Sequence, residues 1–172
     1  MKVRLVAIGV ALAALGCNRS ATGPQPGVSS SCTVTLSGAL SGTYDCRPAT
    51  TTWSNIDNTG AFTFAVYASG SRPAISVPIA WDSEPAPRTY SNTDLLAQAD
   101  IAVTSAANQI WRATVGTGAA ATGSYSLTFT SIVANLNGPS GKGYSTEGTL
   151  TATLTPVAAS GATGTLTLTA TF

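Results

Sequence analysis

Three observations predict an all-β chain. Apolar and polar residues alternate with a period of two through most of the sequence after residue 31. Clusters of Gly, Asn, Asp and Ser punctuate the alternating runs. Hydrophobic residues make up 44% of the chain and charged residues only 9%, so there is enough apolar material for a core and little to keep it unfolded. The expected architecture is an antiparallel β-sandwich, or a small barrel-like sandwich, of about eight to ten short strands with at most one short helical turn.

The first expected element is a hairpin. Cys32, Val34 and Leu36 alternate, as do Tyr44 and Cys46. An antiparallel pair centred on Ala39 sets Cys32 opposite Cys46, Val34 opposite Tyr44 and Leu36 opposite Gly42, all on one face. Asp57-Asn58-Thr59-Gly60 reads as a turn, because Asn and Asp tolerate the left-handed region and Gly enters it freely. Phe62, Phe64 and Val66 then share a face, with Thr63, Ala65 and Tyr67 on the other. Ile75, Val77 and Ile79 continue to Trp81; Pro78 has no N–H to donate, which predicts an edge strand. Ser91 and Asp94 offer capping groups, and Leu95-Leu96-Ala97 has room for one helical turn. Ile101 and Val103 form a short run, and Trp111, Ala113 and Val115 another.

The last third alternates most regularly. Tyr125, Leu127 and Phe129 interleave with Ser and Thr, and the phase slips at Ser131-Ile132, which predicts a bulge. Leu150, Ala152 and Leu154 interleave with Thr149 to Thr155, and Leu166, Leu168, Ala170 and Phe172 with Thr165 to Thr171. These segments predict three consecutive antiparallel strands with an apolar and a polar face each. The loops between them are Asn137 to Gly141 and Ser160 to Ala162. The Thr-x-Thr rows suggest an ice-binding surface in outline, but no fixed repeat recurs upstream, and Thr is favoured on exposed strands in any case.

Composition narrows the function. With no histidine, the chain lacks the usual general base near neutral pH, the commonest zinc ligand and any Ser-His-Asp arrangement. There is no phosphate-binding glycine loop or dinucleotide fingerprint, so no metal and no cofactor is expected. No basic stripe supports nucleic-acid binding. A hydrolase working through paired carboxylates stays open on chemical grounds, with Asp82, Glu84, Asp94, Asp100 and Glu147 as its candidates. Their spacing pairs no two of them across a cleft, so the expectation is a protein that is not an enzyme. The densest polar cluster is Trp81-Asp82-Ser83-Glu84-Pro85-Ala86-Pro87-Arg88. There Trp81, Asp82, Glu84 and Arg88 are the candidate ligand-binding residues: an aromatic to stack a sugar, two carboxylates for its hydroxyls and a guanidinium beside them. The competing reading is a core Trp81 beside solvated charges, and Trp53 and Trp111 likewise read as core.

The first seventeen residues carry an address. Lys2 and Arg4 make a short positive start, Leu5 to Gly16 is an apolar run, and Ala14-Leu15-Gly16 places small residues before Cys17. This run is too short for a helix that spans a bilayer, which needs about 20 residues. The segment resembles a bacterial lipoprotein signal peptide with its lipobox, although Ala14 stands where the pattern favours Leu. An ordinary secretory signal cut within Ala11 to Ala14 is the alternative. The resemblance implies export, removal of residues 1–16, acylation of Cys17 and anchoring in the cell envelope. Asn18, rather than Asp, after the cysteine leans toward the outer membrane.

Residues 17–30, with two prolines and many small residues, read as a flexible tether, whose r.m.s. reach as a coil is about 20 Å. Residues 31–172 read as one β domain. With Cys17 lipidated, Cys32 and Cys46 are left as a pair, either a disulfide of an oxidising compartment or two buried thiols. The functional expectation is a lipid-anchored, non-catalytic envelope domain that meets the membrane through its N-terminal lipid and binds a glycan or another envelope protein. An integral outer-membrane β-barrel is the main rival, because the chain ends on an alternating strand with a terminal aromatic.

Overall fold

The computed structural model describes residues 31–47, 49–66, 73–94, 98–116 and 121–172. The leader, Cys17, the tether, Tyr67 and the helical turn expected at Leu95 to Ala97 lie outside these residues.

The described residues form eleven strands and one 3-10 turn: β1 (Cys32–Gly38), β2 (Gly42–Cys46), β3 (Thr50–Ser54), β4 (Gly60–Val66), β5 (Ala74–Trp81), β6 (Thr89–Ser91), β7 (Gln98–Thr104), β8 (Ile110–Val115), β9 (Ser124–Gly138), β10 (Gly141–Pro156) and β11 (Leu166–Thr171), the turn lying at Ala158–Ser160. All pairings are antiparallel. The order is β2-β1-β11-β10-β3-β4-β5-β7-β8, with β9 on β10 and β6 on β9. The fold is therefore all-β and sandwich- or barrel-like, with a few more strands than expected.

The long β10 organises the molecule. Its first residues, Gly141 to Tyr144, pair with β3, its later residues, Thr149 to Leu154, with β11, and its end, Thr155-Pro156, with Arg112-Trp111 of β8. Strands β10, β3, β4, β5, β7 and β8 thus close into a ring. The β6, β9, β11, β1 and β2 layer continues from the same central strand. One hydrophobic cluster fills the interior. Leu150, Leu154, Leu166 and Leu168 are fully buried in it, as their alternation predicted. Phe62 of β4 meets Phe129 of β9 and the terminal Phe172, with ring centroids 5.7 and 4.7 Å apart, so aromatic side chains tie the two halves together.

The polar phase of the strands points outward. Register aligns Thr35, Thr169, Thr151, Ser126 and Ser91 in a row across five strands, and Thr33, Thr171, Thr149, Thr128 and Thr89 in a second. Neighbouring hydroxyls bond along these rows, Thr89 to Thr128 at 2.9 Å. One hydroxyl pair lies inside, Thr51 with Thr146 at 2.9 Å, each satisfying the other away from water.

The first hairpin has the expected register: Cys32 faces Cys46, Val34 faces Tyr44 and Leu36 faces Gly42. A disulfide joins Cys32 to Cys46 with their Cα atoms 4.9 Å apart, within the usual range. At the expected turn Asn58 adopts φ 53°, and the Asp57 carboxylate accepts the Thr59 N–H. Asp94 Oδ2 accepts the Ser91 N–H at 2.6 Å, the capping-type bond expected there.

Two expectations need correction. Pro78 does not mark an edge: β5 lies between β4 and β7. The β4 ladder runs through Thr63 and Pro78, whereas the β7 ladder skips from Ser76–Ala102 to Ile79–Ala99. A local gap in one ladder accommodates the missing donor. The bulge lies one residue before the expected place, with Thr130 as the extra residue between the Phe129–Gly148 and Ser131–Glu147 pairs. A second irregularity at Asn135 was not expected. Nor was the length of β9 and β10, which continue almost to the Pro139-Ser140 turn.

Candidate binding surface

The loop from residue 82 to residue 88 does not gather its side chains around a ligand. Trp81 is the last residue of β5 and points inward, only 3% exposed. Its ring packs on Tyr90 at 4.6 Å and on Phe129 at 5.9 Å between centroids, so neither indole face is open to a sugar. Asp82 is exposed. Glu84 turns toward β10, where it accepts hydrogen bonds from Lys142 Nζ at 2.6 Å and from the Tyr144 hydroxyl. Arg88 goes the other way: its guanidinium lies 4.1 Å over the Tyr90 ring and 3.7 Å from Asp94. The Tyr90 hydroxyl accepts the Ala86 N–H at 3.0 Å and holds the proline-flanked loop on the domain. Of the four candidates, Glu84 is the one that meets polar groups of β10.

That cluster has a clear charge pattern. Hydrogen bonds from Lys142 and then Tyr144 hold the Glu84 carboxyl below its ordinary range. Burial, reinforced by the adjacent carboxylate, pushes the Tyr144 phenol up, so it stays a neutral donor. Arg88 is held above its ordinary value, first by its contact with the Tyr90 hydroxyl. Asp100 pairs with Arg112 at 2.8 Å. The carboxylates considered for hydrolysis are thus dispersed, Glu84, Asp94 and Asp100 each beside a different cation. Among the described residues no group of three or more His, Cys, Asp or Glu is placed to hold a metal ion.

The aromatic nearest this cluster is Trp53. Register sets Lys142 opposite Trp53, Trp53 opposite Gly60, and Gly60 opposite Trp81. Gly60 is needed here, because a Cβ would fall 2.2 Å from the Trp81 indole nitrogen. Lys142 Nζ lies 5.3 Å from the centre of the partly exposed Trp53 ring. Outside this row, Thr52, Ser54, Asp57, Thr59, Ser140 and Leu136 border an open groove of about 480 Å³. Sequence reasoning missed this surface and assigned Trp53 to the core. Its parts lie on β3, β4 and the β9–β10 hairpin, and no local spacing connects them.

No protein-family model, no curated protein and no solved structure matches this chain.

Proposed function

We propose that this protein is an exported, lipid-anchored domain of the bacterial envelope that binds a partner and performs no catalysis. Residues 1–16 are removed, Cys17 carries the lipid at the outer membrane, and residues 31–172 work in water beyond a short tether. The observation that carries the reading is the Cys32–Cys46 disulfide. Such bonds persist where thiols are not continuously reduced, the destination that the leader implies. A second feature supports a water-facing domain over an integral barrel. A barrel in lipid carries its apolar residues on the outside, whereas here Leu150, Leu154, Leu166 and Leu168 face the interior and Thr and Ser face out.

The binding surface in this reading is the groove beside Trp53, and its ligand is an envelope glycan. The hydroxyls of Thr52, Ser54, Thr59 and Ser140, the Asp57 carboxylate and the exposed Leu136 provide hydrogen bonds and apolar contact. Intact mass of the protein extracted from envelopes tests the address: loss of residues 1–16 plus a lipid mass is expected, and a lipid-free product starting upstream of Cys17 refutes it. Titration with neutral and acidic envelope oligosaccharides, read by tryptophan fluorescence, tests the groove. Saturable quenching that Thr52→Val or Asp57→Asn weakens is expected; quenching indifferent to both refutes the assignment.

A further inference from the structure

We infer that the outer edge of β9, from Ser131 to Gly138, is a self-association surface that pairs with the same edge of a second copy of this chain. On one side β9 is bonded to β10 along its whole length. On the other, β6 covers only Ser126 to Thr128. From Ser131 on, that second side has no strand partner among the described residues. Residues Val133 to Gly138 are all exposed, so this stretch of β9 is an open edge of the sheet. Exposed backbone N–H and C=O groups along such an edge are a template for another strand.

The side chains indicate which strand. No charged residue occurs from Ser124 to Gly141. Natural edges commonly deter pairing with Lys or other charges, and this strand carries none. A strongly charged partner finds nothing complementary here, whereas two copies approach without like-charge repulsion. Val133 and Leu136 are 60% and 71% exposed, two of the three exposed large hydrophobic residues among the described residues. They are three residues apart and would lie on opposite faces of a regular strand. The irregularity at Asn135 changes that. Val133 pairs with Ser145 and Leu136 with Gly143, two positions of β10 that share a face, so both apolar side chains point the same way. Antiparallel pairing about a two-fold axis then sets Val133 of each copy beside Leu136 of the other, the self-complementary arrangement that an isologous interface requires. Ile56, 79% exposed, sits beside this hairpin, because Asn55 donates to the carbonyls of Ser140 and Pro139 at its turn.

Sedimentation equilibrium of the purified full chain in mild detergent, across a wide concentration range, tests the inference together with hydrogen exchange of the same samples. A reversible dimer is expected, with the amides of residues 131–138 protected as it forms. Leu136→Lys and Val133→Lys should each weaken it by at least an order of magnitude and leave the circular dichroism spectrum unchanged. Thr169→Lys, on the threonine-covered face, should leave the dimer intact. A chain that stays monomeric throughout overturns the inference. So does a dimer indifferent to Leu136→Lys, or one protected elsewhere. A different polypeptide bound along residues 131–138, with one copy of this chain per complex, overturns the choice of partner.

Discussion

Replacing Phe172 by Ala truncates a side chain that the structure places in the core. The ring is 4% exposed and lies 4.7 Å from Phe62 and 6.0 Å from Phe129 between centroids. The backbone is held as well: Gly148 N–H donates to the Phe172 oxygen at 2.8 Å, and Phe172 N–H donates to the Gly148 oxygen at 3.1 Å. Truncating a buried Phe to Ala costs about 3–5 kcal/mol through lost transfer energy and an unfilled cavity. Loss of the aromatic contacts falls within that range. For a chain of this size the cost corresponds to a fall in Tm of about 6–20 °C. Urea unfolding with the disulfide intact, followed by tryptophan fluorescence and far-ultraviolet circular dichroism, measures it. A loss below about 1 kcal/mol, the ordinary cost of a less demanding substitution, would show that Phe172 is not a core residue.

Cys32→Ser with Cys46→Ser should lower stability by roughly 3 kcal/mol, from the restored freedom of a loop of about 15 residues in the unfolded chain; thiol labelling of the unfolded, unreduced wild type should find neither cysteine free. Gly148→Ala should be strongly destabilising although the added group is one methyl, because its Cβ would lie 2.1 Å from the Thr128 carbonyl oxygen; chemical denaturation against the parent measures the loss, and parental stability would show that the β9–β10 ladder yields there. Burial pushes the Tyr125 phenol up to about 12, with the charge of Asp94 adding to the shift. The unfolded phenol ionises near pH 10, so the stability contributed by keeping it neutral is complete below about pH 10 and declines as pH rises toward 12. Tyr125→Phe should flatten that alkaline limb, and an unchanged pH dependence of unfolding would contradict the assignment.

The features legible in the sequence are those written in short-range periodicity. The hairpin from Cys32 to Cys46 follows from alternation and a short connection, and its register and disulfide need nothing distant. The apolar faces of β9, β10 and β11 follow from the strict interleaving of Leu and Phe with Thr and Ser, because one phase of each strand must leave water. An outward face of threonine is the complement of that constraint.

Beyond the first hairpin and the β9, β10, β11 succession, tertiary structure decided the neighbours. A strand pattern states which face is apolar but not which strand lies at each edge, so Pro78 falls inside the sheet beside a local gap. The extent of β9 and β10 was hidden because Gly138, Gly141, Gly143 and Gly148 interrupt the apolar phase, while pairing across the hairpin carries the ladder through them. Trp81 is buried, as the core reading of it expected, whereas Trp53, read as core, is only partly buried. Trp81 is enclosed because Tyr90 and Phe129 arrive from other strands. Glu84 finds Lys142 and Tyr144 across separations of 58 and 60 residues. Local alternation records what each segment must bury; the packing of distant segments chooses which polar groups meet and which edges remain open.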